Sequence, residues 1–161
     1  MVKREIQGMY DEIRKANPQC TVRVAFVAYA DYDHPETPCL DFSEDVHSLK
    51  AVLTTVKPEY HTKPDPAEDV FSGLEAVAGL SWTSGNRVLV HIADAPCHGK
   101  EFHDMGPRND HYLGGDKLGR NAAELLRQLA EDCRLDTYLF CHLNDLTKKM
   151  IKRFRELLGT Y

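Results

Sequence analysis

Carboxylates, imidazoles and a thiol gather in two stretches of this chain. One is DPAED (65–69), with Asp65, Glu68 and Asp69. The other is ADAPCHGKEFHDMGPRNDH (93–111), with Asp94, Cys97, His98, His103, Asp104, Asp110 and His111. Asp65, Glu68, Asp69 and Asp94 together make a credible hard-cation site, because Mg2+ and Ca2+ prefer oxygen ligands, often one or two carboxylates with waters. Glu68 and Asp69 also have a simpler role, because acidic residues in the first turn of a helix complement its dipole. Cys97, His98, His103, Asp104, Asp110 and His111 are the residue types of a transition-metal site. Their spacing is irregular and matches no closed zinc pattern, so the expectation for this stretch is a surface loop with solvated histidines. A Cys97–His98 nucleophile pair is disfavoured, since adjacent side chains diverge and no third group orients them.

The elements that must position these residues follow from hydrophobic patterning. Val2, Ile6, Met9 and Ile13 recur every three to four residues and predict an amphipathic helix over 2–16, ended by Asn17-Pro18. VRVAFVAYA (22–30), RVLVHIA (87–93) and LDTYLFCHL (135–143) are near-continuous apolar runs and predict buried strands. CLDFS (39–43) predicts a short edge strand, antiparallel to 22–30. Helices are expected over 45–56, 67–80 with Pro66 in the first turn, 121–133 with Leu125, Leu126 and Leu129 inward, and 145–158. KPEYHTKPDP (57–66) and 94–119 are loops, and a loop as long as the second is usually functional or disordered. Strands alternating with helices predict an α/β domain spanning 1–161, built on a mostly parallel, doubly wound, Rossmann-like sheet. In such sheets ligands sit beyond the carboxyl ends of the strands. Asp31, Asp94 and Asn144 each lie just past one. His91 within a strand and His142 near a strand end are expected to be packed or edge residues, and Trp82 and Tyr138 core or rim aromatics.

Totals narrow the function classes. The 161 residues carry a formal charge of −5, with 42% hydrophobic and 28% charged residues. This is a globular balance without the basic face that nucleic acid or an anionic membrane requires. No apolar run reaches the length of a transmembrane helix. The five cysteines form no CxxC pair, and unpaired thiols with no signal peptide predict a cytoplasmic protein. GGDKLG (114–119) lacks the strand-loop-helix setting and the GK[ST] of a phosphate loop.

The pieces VRVAFVAYADYD, DPAEDVFSGLEAV, RVLVHIADAPCHG and DTYLFCHLNDLTKKMIKRF resemble a von Willebrand factor type A (vWA) domain. The nearest kind is the intracellular one associated with alpha-kinases, with integrin-β-like features, and the resemblance runs from about residue 3 to 158. It implies a doubly wound sheet whose rim carries a metal-ion-dependent adhesion site for Mg2+ or another divalent cation. By resemblance, Asp94, Glu68 and Asp65 are its metal ligands, with Thr62 a further candidate from the same loop; Thr62, His98, His103 and Asp104 are expected at the partner-binding face. The chain departs from the family pattern in lacking the first strand and its DxSxS motif, so it reads as N-terminally truncated, with a degenerate cation site. Strands 22–30 and 87–93 must then pair directly, or another chain must fill the gap, which predicts a possible homodimer. The expected function is a non-enzymatic module that binds a protein partner. The alternatives are a structural fragment without metal function, or a small metal-dependent hydrolase using the His/Asp loop 97–111.

Overall fold

The computed structural model describes residues 2–34, 37–56 and 65–159. It is a mixed α/β structure that divides into two compact units, Met1–Ala28 with Glu36–Glu59, and Tyr29–Pro35 with Tyr60–Tyr161. No helix among the described residues is long and apolar enough to cross a membrane.

The first unit holds α1 (Val2–Ala16), β1 (Val24–Val27), β2 (Cys39–Ser43) and α2 (Val46–Thr55). α1 stops where Asn17-Pro18 was expected to stop it. β1 and β2 pair antiparallel, as expected, with Phe26 opposite Leu40 and Val27 opposite Cys39. The pairing register shifts between Val24 and Phe26. β1 covers only part of 22–30, its four residues are half-buried, and among the described residues it has a ladder partner on one edge, interrupted by that shift. Asp45 caps α2 by accepting the His47 N–H at 2.9 Å. Leu49 and Leu53 are the buried residues of that helix.

The second unit carries the remaining elements: α3 (Val70–Ala78), β3 (Val88–Ala93), α4 (Ala122–Glu131), β4 (Thr137–His142) and, after a single 3-10 turn at Asp145–Thr147, α5 (Lys148–Leu158). β3 and β4 are parallel over six residue pairs, from Val88 opposite Thr137 to Ala93 opposite His142. α4 is their crossover, held at its start by Asn121, whose side chain accepts the Ala123 N–H at 2.8 Å. Leu125, Leu126 and Leu129 are buried as their spacing predicts. They join Val70, Phe71, Leu74 and Val77 of α3 and Met150, Ile151 and Phe154 of α5 in the core. The loop after β3 inserts Phe102 into this core, edge-on to both Phe71 and Phe154.

Two expectations are corrected. α3 begins at Val70 rather than 67, because the Glu68 N–H is spent on the Pro96 carbonyl at 2.9 Å and the residues before Asp69 are held extended. Pro66 is therefore not in a helical turn. Of the two acidic residues expected at this helix end, Asp69 caps it, accepting the Ser72 N–H at 3.0 Å, and Glu68 does not. The described strands form two two-stranded ladders. β1 pairs with β2 and β3 pairs with β4. β4 is buried less than its sequence suggests, with Leu139 exposed.

His91 lies at the middle of β3, 7% exposed, between two phenols. The Tyr29 hydroxyl is 2.9 Å from Nε2 and the Tyr138 hydroxyl 2.9 Å from Nδ1. A neutral imidazole satisfies both, donating to one and accepting from the other. Burial pushes the His91 pKa down from 6.5 to about 4. The unfolded chain therefore takes up a proton below pH 6.5 that the folded chain refuses. Stability present above pH 6.5 is lost as the pH falls towards 4, by about 3 kcal/mol in all. Chemical denaturation of the protein and of His91→Gln at a series of pH values checks this. The difference between the two should shrink across that window.

Candidate metal centre

The acidic turn 65–69 is pinned beside the carboxyl end of β3. The Glu68 N–H reaches the Pro96 carbonyl, and Asp65 Oδ2 accepts the His111 N–H at 2.8 Å and faces His111 Nδ1 at 2.9 Å. Asp65 is buried, its side chain 1% exposed. Two carboxylate oxygens here, Asp65 Oδ1 and Glu68 Oε2, are buried with no hydrogen-bond partner among the described residues. A buried, unpaired carboxylate oxygen is costly. Burial, then the charges of Asp31 and Asp94, raise the Glu68 pKa to about 7, with His98 opposing them and Asp65 adding to them. Asp94 itself is exposed at the end of β3, its carbonyl accepting from the Asn144 side chain. Negative charge is thus concentrated at one rim, with two carboxylate oxygens lacking donors among the described residues.

His98 opposes that charge. It is 2% exposed, Nε2 lies 2.8 Å from Asp31 Oδ1, and Nδ1 lies 2.8 Å from Asp110 Oδ1. Burial alone would lower its pKa, but the two carboxylates outweigh it and raise it to about 9. Tyr32 stacks on the imidazole at 4.9 Å and Tyr112 meets it edge-on at 5.0 Å. Asp110, fully enclosed, organises the loop. Its Oδ1 also accepts the Tyr112 N–H at 2.7 Å, and its Oδ2 accepts Gly99 N–H and His103 Nε2, each at 2.8 Å. His103 Nδ1 accepts the Met105 N–H at 3.2 Å, which leaves Nε2 as its donor. These four bonds keep Asp110 ionised, holding its pKa below the usual carboxylate range against the opposing effect of burial. Gly99 sits at φ +106°, where a Cβ would meet Gly115 Cα at 3.1 Å. The loop closes on itself at that point only because both residues are glycine.

A second ion cluster fastens the far end of the loop. Arg120, 9% exposed along its side chain, pairs with Asp69 at 2.5 Å and with Asp116 at 2.6 Å. It also reaches Glu75 at 3.0 Å and Ser72 Oγ at 2.6 Å. Tyr32 donates its hydroxyl to Asp116 at 2.7 Å.

The predicted site residues separate accordingly. Asp65 and Glu68 lie at the charged rim with Asp94, and one ligand atom each of Asp31, Asp65 and His98 falls within 4.8 Å of the other two. His98 and His103 are buried, so the expectation of solvated histidines holds only for His111. Asp104 is exposed and paired with Lys149 at 2.6 Å. Thr62 lies outside the described residues. Cys97 is buried and its thiol pKa is pushed well up by that burial, the reverse of an activated nucleophile. Sequence reasoning placed Asp31 at the rim without giving it a role, and it passed over Asp116 and Arg120. Their i, i+4 spacing was the available signal.

The chain is similar to alpha-protein kinase vwkA of Dictyostelium discoideum, with 30% identity over 145 residues. That match takes in 89% of this chain and 22% of the relative, so the chain spans about a fifth of that protein's length. No family model matches the sequence. No solved structure matches it either.

Proposed function

We propose that this chain is a non-enzymatic, protein-binding module of the vWA kind. In this reading its doubly wound sheet is incomplete, and a divalent cation at the rim of β3 is held by Asp65, Glu68 and Asp94. The observation that carries the reading is the pair of buried, unpaired carboxylate oxygens on Asp65 and Glu68, in a setting where Asp31 and Asp94 add like charge. A hard dication supplies the missing counter-charge and takes carboxylate oxygens as ligands, so the donor set fits Mg2+ in chemistry. A partner carboxylate completing the coordination is the mode of recognition that the resemblance implies. The parallel β3–β4 pair with its helical crossover suits a doubly wound sheet. Each strand is paired on one edge only among the described residues, which leaves room for self-association. The relative is named an alpha-protein kinase and this chain matches 22% of it; in this reading the chain is a module beside a catalytic domain.

Thermal unfolding with EDTA and with Mg2+ tests the reading. Mg2+ should raise the melting temperature of the wild type and leave Asp94→Ala and Glu68→Gln unmoved. In EDTA, Glu68→Gln should be more stable than the wild type, by on the order of 1 kcal/mol after allowance for partial exposure, because one of several crowded charges is gone. An unchanged melting temperature in every buffer would leave the structural-fragment reading in its place.

A further inference from the structure

Imidazole changes what this rim can hold. Three ligand atoms, one each from Asp31, Asp65 and His98, lie within 4.8 Å of one another. Around a single ion at Zn–N and Zn–O distances such atoms stand about 3–3.5 Å apart, so a small adjustment brings them together. Asp65 is 1% exposed along its side chain, and its Oδ1 has no partner among the described residues. His98 offers Nε2 to this point while Nδ1 is fixed on Asp110 at 2.8 Å. Asp110 is in turn fixed by Gly99, Tyr112 and His103. A carboxylate behind a histidine sets the ring orientation and raises the basicity of the nitrogen that faces a metal. Hard cations gain little from such a nitrogen, whereas first-row transition metals favour it.

We propose that Asp31, Asp65 and His98 form a mixed oxygen–nitrogen site for a first-row transition-metal dication such as Zn2+ or Co2+, with Asp110 as the positioning residue behind His98. The inference rests on the reading that this rim takes a cation, and adds which cation and through which nitrogen. On binding, the ion takes the place of the hydrogen that links His98 Nε2 to Asp31, and that proton passes to solvent. Glu68 and Asp94 supply the remaining carboxylate ligands, as in the reading above.

The test uses the whole chain labelled with 15N. Histidine ring nitrogens are followed in long-range 1H–15N spectra as Zn2+ is added, with His98 assigned through His98→Gln, and calorimetry compares Zn2+, Co2+ and Mg2+. One equivalent of Zn2+ should shift Nε2 of His98 and leave the exposed histidines in place. Zn2+ should bind about 100-fold or more tightly than Mg2+, a preference that His98→Gln abolishes. If His98→Gln does not fold, Asp65→Asn serves in its place and should lose the ion with the His98–Asp110 link intact. Mg2+ binding as tightly as Zn2+, with Nε2 unshifted, would overturn the inference and leave the cation-binding module standing. His98 would then be an imidazolium strap between two carboxylates. No binding of any ion at the rim would overturn both.

Discussion

Asp110→Asn should destabilise the protein by about 3–5 kcal/mol, the range for removing one partner from a buried, hydrogen-bonded charge network. The carboxylate accepts from His98, Tyr112, Gly99 and His103, at 2.7–2.8 Å, and its side chain has no exposed surface. All four acceptor positions are used. Asparagine offers one oxygen and turns an amino group towards two N–H donors that have nowhere else to go. It also removes the negative charge that stabilises the His98 imidazolium. The damage should be local before it is global. Backbone amides of Gly99 and Tyr112 should exchange with solvent much faster, while those of β3 and β4 keep their protection as long as the variant stays folded. Urea denaturation and amide exchange together measure this. A loss below 1 kcal/mol with the Gly99 amide still protected would mean that the loop is held by its apolar insert, Phe102, instead.

Arg120→Met is the second large effect, also expected at about 3–5 kcal/mol. Methionine keeps the apolar stem but leaves Asp69 and Asp116 facing each other without a cation, both nearly enclosed. Asp69 is the cap of α3, so the start of that helix should fray. Lysine should not rescue the variant, because a single ammonium cannot span Asp69, Asp116 and Glu75 as the planar guanidinium does. Adding Asp116→Asn to Arg120→Met should recover part of the loss, since it removes one stranded charge. Denaturation of the two single variants and the double variant gives the coupling directly. Strict additivity would contradict the assignment of these residues to one cluster.

The helices were legible because their information is local. Apolar spacing marked α1 and α4, and Asn17-Pro18 marked the end of α1 to within a residue. The antiparallel pairing of β1 with β2 was legible for the same reason, since the two strands are consecutive in the sequence. What the strands could not declare is their neighbours. VRVAFVAYA reads as a strand buried on both faces, yet only Val24–Val27 pairs, on one edge, and stays half-buried. The site divides along the same line. The rim position of Asp94 follows from the end of an apolar run. The burial of His98 and His103 does not, because residues 97–111 look like a polar surface loop until Asp110 gathers them from within. One enclosed carboxylate reverses the fate of two histidines, and nothing at that position in the sequence sets it apart from the exposed Asp104. The late start of α3 has a similar cause. Asp65, Glu68 and Asp69 could all have served the helix end, and the choice among them was made by Pro96, 28 residues away from Glu68.

The central claim is that the rim beside β3 is a cation site and not merely an acidic surface. Crystals grown with Mn2+ and measured for anomalous scattering test it most directly, since the ion is located without reference to stability or to any partner. The account predicts one strong peak in contact with Asp65, Glu68 and Asp94, present in the wild type and absent from Asp65→Asn. Mn2+ found only at exposed carboxylates such as Asp104, with none beside the buried oxygen of Asp65, would contradict it.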